Sequence, residues 1–190
     1  MPRIDPSWFV ARYDEDPDPW DFATSDYEAD KYAATVGVLG DRRYRSAFEA
    51  GCAIGVLTTL LAARCEALLA VDAVPAAVAQ ARERTRDLPH VRIERATLPE
   101  GWPAGPFDLV VISEIAYYFD DAGLDDLLDA ATRSLEPGGD LVACHWTGET
   151  DYPLTAEAVH DRMAAHPALD LRERTAAPGY ELAVLRRTSP

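Results

Sequence analysis

Asp72 stands 21 residues after Gly51 in a chain of 190 residues. Around Gly51, Phe48-Glu49-Ala50-Gly51-Cys52-Ala53-Ile54-Gly55 reads as a strand turning sharply into a helix. Gly51 can supply the turn conformation and bring main chain close to a ligand. Gly55 can let the helix pack close to the sheet. Two glycines four apart can also be ordinary strand-to-helix punctuation. Asp72 ends the next predicted strand, where a carboxylate can accept both hydroxyls of a ribose. It can equally cap the helix that begins near Pro75, or do both. A glycine turn and an acidic strand end at this spacing point to a ligand carrying a nucleoside. Ala53 stands where a dinucleotide fingerprint has its middle glycine, and Glu49 precedes the turn. An anionic side chain there disfavours a pyrophosphate and suits an ammonium or sulfonium group.

A second set of candidates follows the fourth and fifth predicted strands. Ser113-Glu114-Ile115 ends one, and His145 ends its neighbour on the same sheet edge, so Glu114 and His145 are expected to converge. A carboxylate or imidazole at a strand end can hold a cation or exchange a proton. Glu114 can otherwise be a solvated residue or a helix cap, and His145 a structural histidine beneath Trp146. Asp151 is a looser third candidate. Trp20, Tyr32, Tyr117, Tyr118, Trp146 and Tyr152 give this edge a high aromatic density. Such faces suit sugar rings and attract cations by roughly 0.5–2 kcal/mol each. Adjacent Tyr117 and Tyr118 are not expected to face one site together. His90, His145, His160 and His166 lack closely spaced ligand partners, so no metal site is expected. Cys52, Cys65 and Cys144 form no even framework and read as reduced, mostly buried thiols.

The elements that position these groups alternate. Ser25-Asp-Tyr-Glu28 fits a capping box opening a helix to about Leu39. Strands are predicted over Ala47–Cys52, Ala67–Asp72, His90–Ala96, Phe107–Ser113 and Asp140–Trp146. Helices are predicted over Gly55–Cys65, Pro75–Asp87, Gly123–Leu135 and Thr155–His166. Strands over Leu169–Arg174 and Tyr180–Arg186 are joined by too few residues for a crossover helix and must form an antiparallel hairpin. The result is an α/β fold, a mostly parallel seven-stranded sheet with helices on both faces and a C-terminal antiparallel hairpin.

Residues 1–24 differ from the rest. Asp14 to Asp30 holds eight acidic residues and no basic one, with Pro17 and Pro19 between them. That reads as a solvated arm, but Trp8, Phe9, Tyr13, Trp20 and Phe22 require that it pack onto something, as a lid does. The expected division is an arm over 1–24 and one domain over 25–190. The net charge of −15 repels phosphate backbones, so nucleic acid is not the expected partner. No apolar run approaches the length of a membrane span, and Met1-Pro-Arg-Ile-Asp5 has no apolar signal core, so a cytoplasmic protein is expected.

Several segments stand in a familiar order. They include Asp18-Pro-Trp-Asp-Phe22, Tyr27-Glu28, Lys31-Tyr32, Ala50-Gly-Cys-Ala-Ile-Gly55, Leu69-Ala-Val-Asp72 and Phe107-Asp-Leu109. Ser113-Glu114, Tyr117-Tyr118, Pro137-Gly-Gly139, His145-Trp146 and Thr150-Asp-Tyr-Pro-Leu-Thr155 complete the series. Over about residues 45 to 187 the chain resembles a class I S-adenosylmethionine-dependent methyltransferase with a Rossmann-like fold. Almost from end to end it resembles the nodulation protein S family, N-methyltransferases acting on the amino-bearing end of deacetylated chitooligosaccharides. Ala53, where that family often has Ser, is a mild departure.

The resemblance implies S-adenosylmethionine as cofactor, S-adenosylhomocysteine as product, and a small-molecule or oligosaccharide acceptor. It assigns Glu49 and Gly51 to the methionine end, Asp72 to the ribose, and Ala73 and Val74 to one adenine face. Ala96, Thr97 and Leu98 lie where the class often places an acid near the adenine amino group. Ser113, Ala53, Tyr27, Lys31 and Tyr32 complete the cofactor set, with Lys31 pairing either with the cofactor carboxylate or with Glu28. Glu114 and His145 are the catalytic candidates, and Trp20, Tyr117, Tyr118, Trp146, Asp151 and Tyr152 the acceptor contacts. A monomer or weak dimer is expected. A small-molecule O-methyltransferase, a nicotinamide oxidoreductase and a noncatalytic cofactor-binding subunit are the alternatives.

Overall fold

Asp5 starts the first helix: its side chain accepts the amide of Ser7 at 2.8 Å, and Pro6 fills the first turn, where its missing N–H costs nothing. This helix, α1 (Pro6–Glu15), is absent from the sequence-based expectation, which weighed the acidic, proline-containing stretch after it too heavily. The computed structural model describes residues 1–189. The other helices are α2 (Asp26–Gly37), α3 (Val56–Ala62), α4 (Pro75–Arg84), α5 (Asp121–Ser134) and α6 (Ala156–Ala164). The strands are β1 (Ala47–Ala50), β2 (Leu68–Asp72), β3 (Val91–Arg95), β4 (Phe107–Ser113), β5 (Leu135–Trp146), β6 (Leu169–Ala177) and β7 (Tyr180–Arg187). Their order in the sheet is β3-β2-β1-β4-β5-β7-β6. The chain divides into two compact units, Asp5–Thr97 and Leu98 onward with Met1–Ile4.

In the first unit β1, β2 and β3 are parallel, with Glu49 opposite Ala70 and Asp72 opposite Arg95. Cys52, Ala70, Val78, Ala81 and Ile93 form one buried cluster. A second joins Tyr13, Ile54, Val74 and Ala77, with Phe9, Trp20 and Phe22 packed against it. The N-terminal aromatics therefore cover the loops that follow β1 and β2. Asp18 fixes the turn after α1 by accepting the amides of Phe22 and Ala23, each at 2.9 Å. Half of the expected capping box forms. Ser25 accepts the Glu28 amide at 3.4 Å, but the Ser25 amide goes to the Asp21 carbonyl and Glu28 turns to Lys31.

In the second unit β4 is buried along its whole length, as its apolar run requires. β5 runs parallel to it and antiparallel to β7, which pairs antiparallel with β6. The hairpin is tighter than expected: only Pro178 and Gly179 separate β6 from β7, and Gly179 takes φ 89°. Strand β5 starts earlier than expected, at Leu135, carrying Pro137-Gly-Gly139 within it. A short 3-10 turn, Ala116–Tyr118, follows β4 and was also unforeseen. Among the described residues no helix is long and apolar enough to cross a membrane.

Candidate functional site

In the first unit the loop after β1 holds three residues in left-handed backbone, Gly51 at φ 79°, Ala53 at φ 46° and Gly55 at φ 82°. Gly55 is required for a second reason: a Cβ there would lie 3.0 Å from Ala81 Cα on α4. The loop's amides are turned inward. Gly51 and Cys52 both donate to the Val71 carbonyl, Ala53 donates to Asp72, and Gly55 donates to the Cys52 carbonyl. A pyrophosphate loop instead aims such N–H groups at its ligand. What this loop offers a ligand is carboxylate.

Two carboxylates flank it. Glu49 is 2% exposed, and its Oε2 has no hydrogen-bond partner. Burial pushes its carboxyl up to about 7, the nearby Thr58 hydroxyl opposing and the Asp72 charge adding to the rise. An orphaned carboxylate oxygen in a buried cradle fits an ammonium group. Asp72 uses Oδ2 for the Ala53 amide and Oδ1 for the Val74 amide, both at 2.9 Å. Each carboxylate oxygen keeps a second lone pair, so both can still receive a ribose hydroxyl. Burial raises the Asp72 pKa, and the amides of Val74, Ala53 and Ala73 pull it back. Asp72 thus braces its own strand end while presenting an acceptor pair, and Val74, not Asp72, is the N-cap residue of α4.

Other residues assigned from sequence lie in varied settings. Val74 is buried in the aromatic cluster, and Trp20 stacks on Phe22 at 5.6 Å there. Ala73 accepts from Arg95 through its carbonyl, and the Ala96 amide donates to the Asp72 carbonyl. Thr97 is exposed, and Leu98 is buried in the other unit. On α2, Lys31 is buried and pairs with Glu28 at 2.8 Å, 5.1 Å from the exposed Tyr27 ring, and Tyr32 is buried. Two residues without a sequence-based site role also belong here. Thr58 adjoins Glu49, and Tyr13 lies close enough to Asp72 for that charge to raise its phenol, after burial. The aromatic pattern of α1 carried the only signal for Tyr13.

In the second unit, buried Ser113 ends β4, and Glu114 follows at φ 59°. Left-handed backbone at a non-glycine residue costs on the order of 1–2 kcal/mol and persists where surrounding bonds hold it. Here the Glu114 amide donates to the Cys144 carbonyl at 2.8 Å. Glu114 Oε2 accepts the Trp146 amide at 3.0 Å and the Tyr117 hydroxyl. The 3-10 turn also brings both adjacent tyrosines to one neighbour. Tyr152 lies 5.1 Å from the Tyr117 ring and 4.8 Å from the Tyr118 ring. The tight turn sets the two rings at 80° to each other. Burial, then the Glu114 charge, raises the Tyr117 phenol, so it stays a donor to that carboxylate.

His145 differs from its expected setting. It is fully buried; Nε2 accepts the Ala116 amide at 3.2 Å and Nδ1 meets His160 Nε2 at 3.1 Å. A ring with both nitrogens engaged inside the fold is not poised to take a proton from an acceptor. Trp146, 37% exposed, opens onto a groove of about 970 Å³ that also reaches Tyr117 and Asp151. Glu149, Glu157 and Glu181 add carboxylates to the groove, and its Arg174 is bound to Glu181 and to Asp161. The lining is aromatic and acidic.

Comparison with known proteins adds the lineage. The model of the nodulation protein S family matches residues 10–142. Nodulation protein S of Sinorhizobium fredii is 30% identical over 127 residues, 66% of this chain and 59% of that protein. The matched part spans 50% and 53% of the relatives from Bradyrhizobium diazoefficiens and Rhizobium tropici, so the chain aligns with about half the length of these curated proteins. The crystal structure of the N-methyltransferase NodS from Bradyrhizobium japonicum WM9 in complex with S-adenosyl-L-homocysteine is 25% identical. It covers 98% of this chain and 100% of its own, with a TM-score of 0.87. A Pseudomonas syringae structure described as a methyltransferase is 42% identical over 85% of this chain and 99% of its own, with a TM-score of 0.75.

Proposed function

Because the chain belongs to the nodulation protein S family, we propose that it is an S-adenosylmethionine-dependent N-methyltransferase. Its acceptor is the amino group of an amino sugar, on a deacetylated chitooligosaccharide or a similar molecule. The single observation that carries the cofactor assignment is the buried, orphaned Glu49 Oε2 beside a loop whose Gly51, Cys52, Ala53 and Gly55 amides are all spent within the fold. That combination suits a cationic amino acid moiety and not a dinucleotide pyrophosphate.

Bound S-adenosylmethionine supplies an electrophilic methyl on a sulfonium. Glu49 holds the amino group of its methionine end, and Asp72 accepts from the ribose hydroxyls. Ala73 and the residues after β3 adjoin the base, and the arm over 1–24 covers the loops as a lid. In the second unit Glu114, aimed by Tyr117 and the Trp146 amide, draws the acceptor amine and takes its proton as the new bond forms. Proximity supplies much of the rate. Trp146, Tyr117 and Tyr152 offer faces to a sugar ring, and the groove carboxylates favour a cation over an anion. His145 serves by holding the turn that carries the tyrosines.

Calorimetric titration of S-adenosylhomocysteine, with Asp72→Ala as control, tests the cofactor. Micromolar binding lost in the control supports the reading. Binding of a nicotinamide dinucleotide instead overturns it, and cofactor binding without transfer to any amine favours a noncatalytic subunit.

A further inference from the structure

His160 carries the buried polar atom of the second unit that the proposed chemistry leaves unused. It lies on α6, 1% exposed, and its Nδ1 has no hydrogen-bond partner. The order of protons around it follows from one fixed donor. The Ala116 amide can only donate, so His145 Nε2 is the acceptor and carries no proton. The proton of neutral His145 therefore sits on Nδ1, which donates to His160 Nε2 at 3.1 Å. His160 then carries its own proton on Nδ1, the atom without a partner.

We propose that His160 is a positioning residue: as a neutral hydrogen-bond acceptor it holds His145 in the tautomer that the Ala116 amide sets, and through His145 the 3-10 turn that carries Tyr117 and Tyr118. The turn is the element that aims Glu114, since Tyr117 donates to that carboxylate and its ring packs edge-on against His145 at 5.1 Å. The groups facing the pair are Tyr117 from the turn, Arg174 from β6, Glu181 from β7 and Asp161 on α6 itself. Arg174 is bound by both carboxylates, which leaves one negative charge near His160, and burial outweighs the pull of that charge toward the ionised ring. Burial pushes the His160 imidazole down to about 4, Arg174 in the same direction, with Glu181 and Asp161 opposing. The neutral arrangement thus holds through the physiological range.

This inference rests on the methyltransferase reading of the same site, and its test separates the two. The ring nitrogens of wild-type protein, labelled with ¹⁵N-histidine, are read by NMR. A protonated Nδ1 and an unprotonated Nε2 on His145 are expected, and a proton on His145 Nε2 overturns the proposal whatever the enzyme does. Two variants extend the test. H160L leaves the His145 donor buried and unanswered, and kcat/KM for an amino-sugar acceptor is expected to fall at least about tenfold. S-adenosylhomocysteine affinity should stay within about twofold. H160Q keeps an acceptor oxygen near Nε2 and is expected to restore most of the loss. Unchanged kcat/KM in folded H160L, or H160Q falling as far as H160L, overturns the positioning role. If wild type itself neither binds S-adenosylhomocysteine nor transfers methyl, the functional reading fails, and the NMR tautomer still decides the hydrogen-bond chain.

Discussion

The Asp72 carboxylate accepts the Ala53 amide at 2.9 Å, tying the end of β2 to a non-glycine residue held at φ 46°. Left-handed backbone costs alanine about 1–2 kcal/mol, against roughly 0.5–1 kcal/mol of extra chain entropy for glycine. Ala53→Gly is therefore expected to stabilise the protein by up to about 1 kcal/mol, a rise in Tm of about 2–4 °C. S-adenosylhomocysteine affinity should barely change. Differential scanning calorimetry checks the first expectation; a fall in Tm contradicts it.

Removing the other partner has the opposite effect. Asp72→Ala leaves the Ala53 and Val74 amides without their acceptor and takes away the ribose contact. Charge-assisted hydrogen bonds are worth about 1.5–3 kcal/mol each. S-adenosylhomocysteine binding is expected to weaken by about a hundredfold or more, with a lower Tm. Calorimetric titration beside thermal unfolding reads both.

Glu49 predicts a pH dependence. Its folded pKa, about 7, lies above the ordinary glutamate value of 4.5, so between these limits the folded state binds the extra proton. Stability of the ligand-free protein falls as pH rises through that window. A cationic ligand favours the carboxylate, so S-adenosylhomocysteine binding near pH 6 releases a proton. Titrations at one pH in buffers of different ionisation enthalpy measure that release. Glu49→Gln should abolish it, weaken binding, and raise stability above pH 7 by about 1–3 kcal/mol. Proton uptake in wild type contradicts this assignment.

Glu114→Gln should separate binding from chemistry. The amide can still accept from Trp146 and Tyr117 but cannot draw a cation or take its proton. A fall of about 10²–10⁴ in kcat is expected, with S-adenosylhomocysteine affinity unchanged. Stopped activity with lost cofactor binding would place Glu114 in a different role.

Strand positions were legible because their apolar runs and turn residues agree, as in Phe107–Ser113, predicted and observed with the same ends. The antiparallel hairpin followed from a connection too short to cross over. Asp72 was legible as the end of β2, and its spacing from the glycine turn brings it to the loop after β1, where it accepts the Ala53 amide. The failures came where tertiary context decides. Helix α1 has Asp5 and Pro6 as start signals, but the acidic stretch from Asp14 masked it. Glu28 satisfies the capping-box pattern and yet turns to Lys31, because a buried lysine needs its charge answered. His145 looked reactive from its place at a strand end; only folding shows His160, fifteen residues on, at its Nδ1. Tyr117 and Tyr118 both meet Tyr152 because the chain makes a 3-10 turn there, for which the sequence carried no signal.

The central claim is methyl transfer from S-adenosylmethionine to an amine. The direct test is incubation of the purified chain with methyl-labelled S-adenosylmethionine and a chitooligosaccharide deacetylated at one end, with the fully acetylated oligomer beside it. Mass spectrometry should find one or more methyl groups on the amine-bearing oligomer, none on the acetylated one, and a matching yield of S-adenosylhomocysteine. Methyl groups on hydroxyl oxygen of both oligomers, or tight S-adenosylhomocysteine binding with no transfer to any amine offered, would contradict the account.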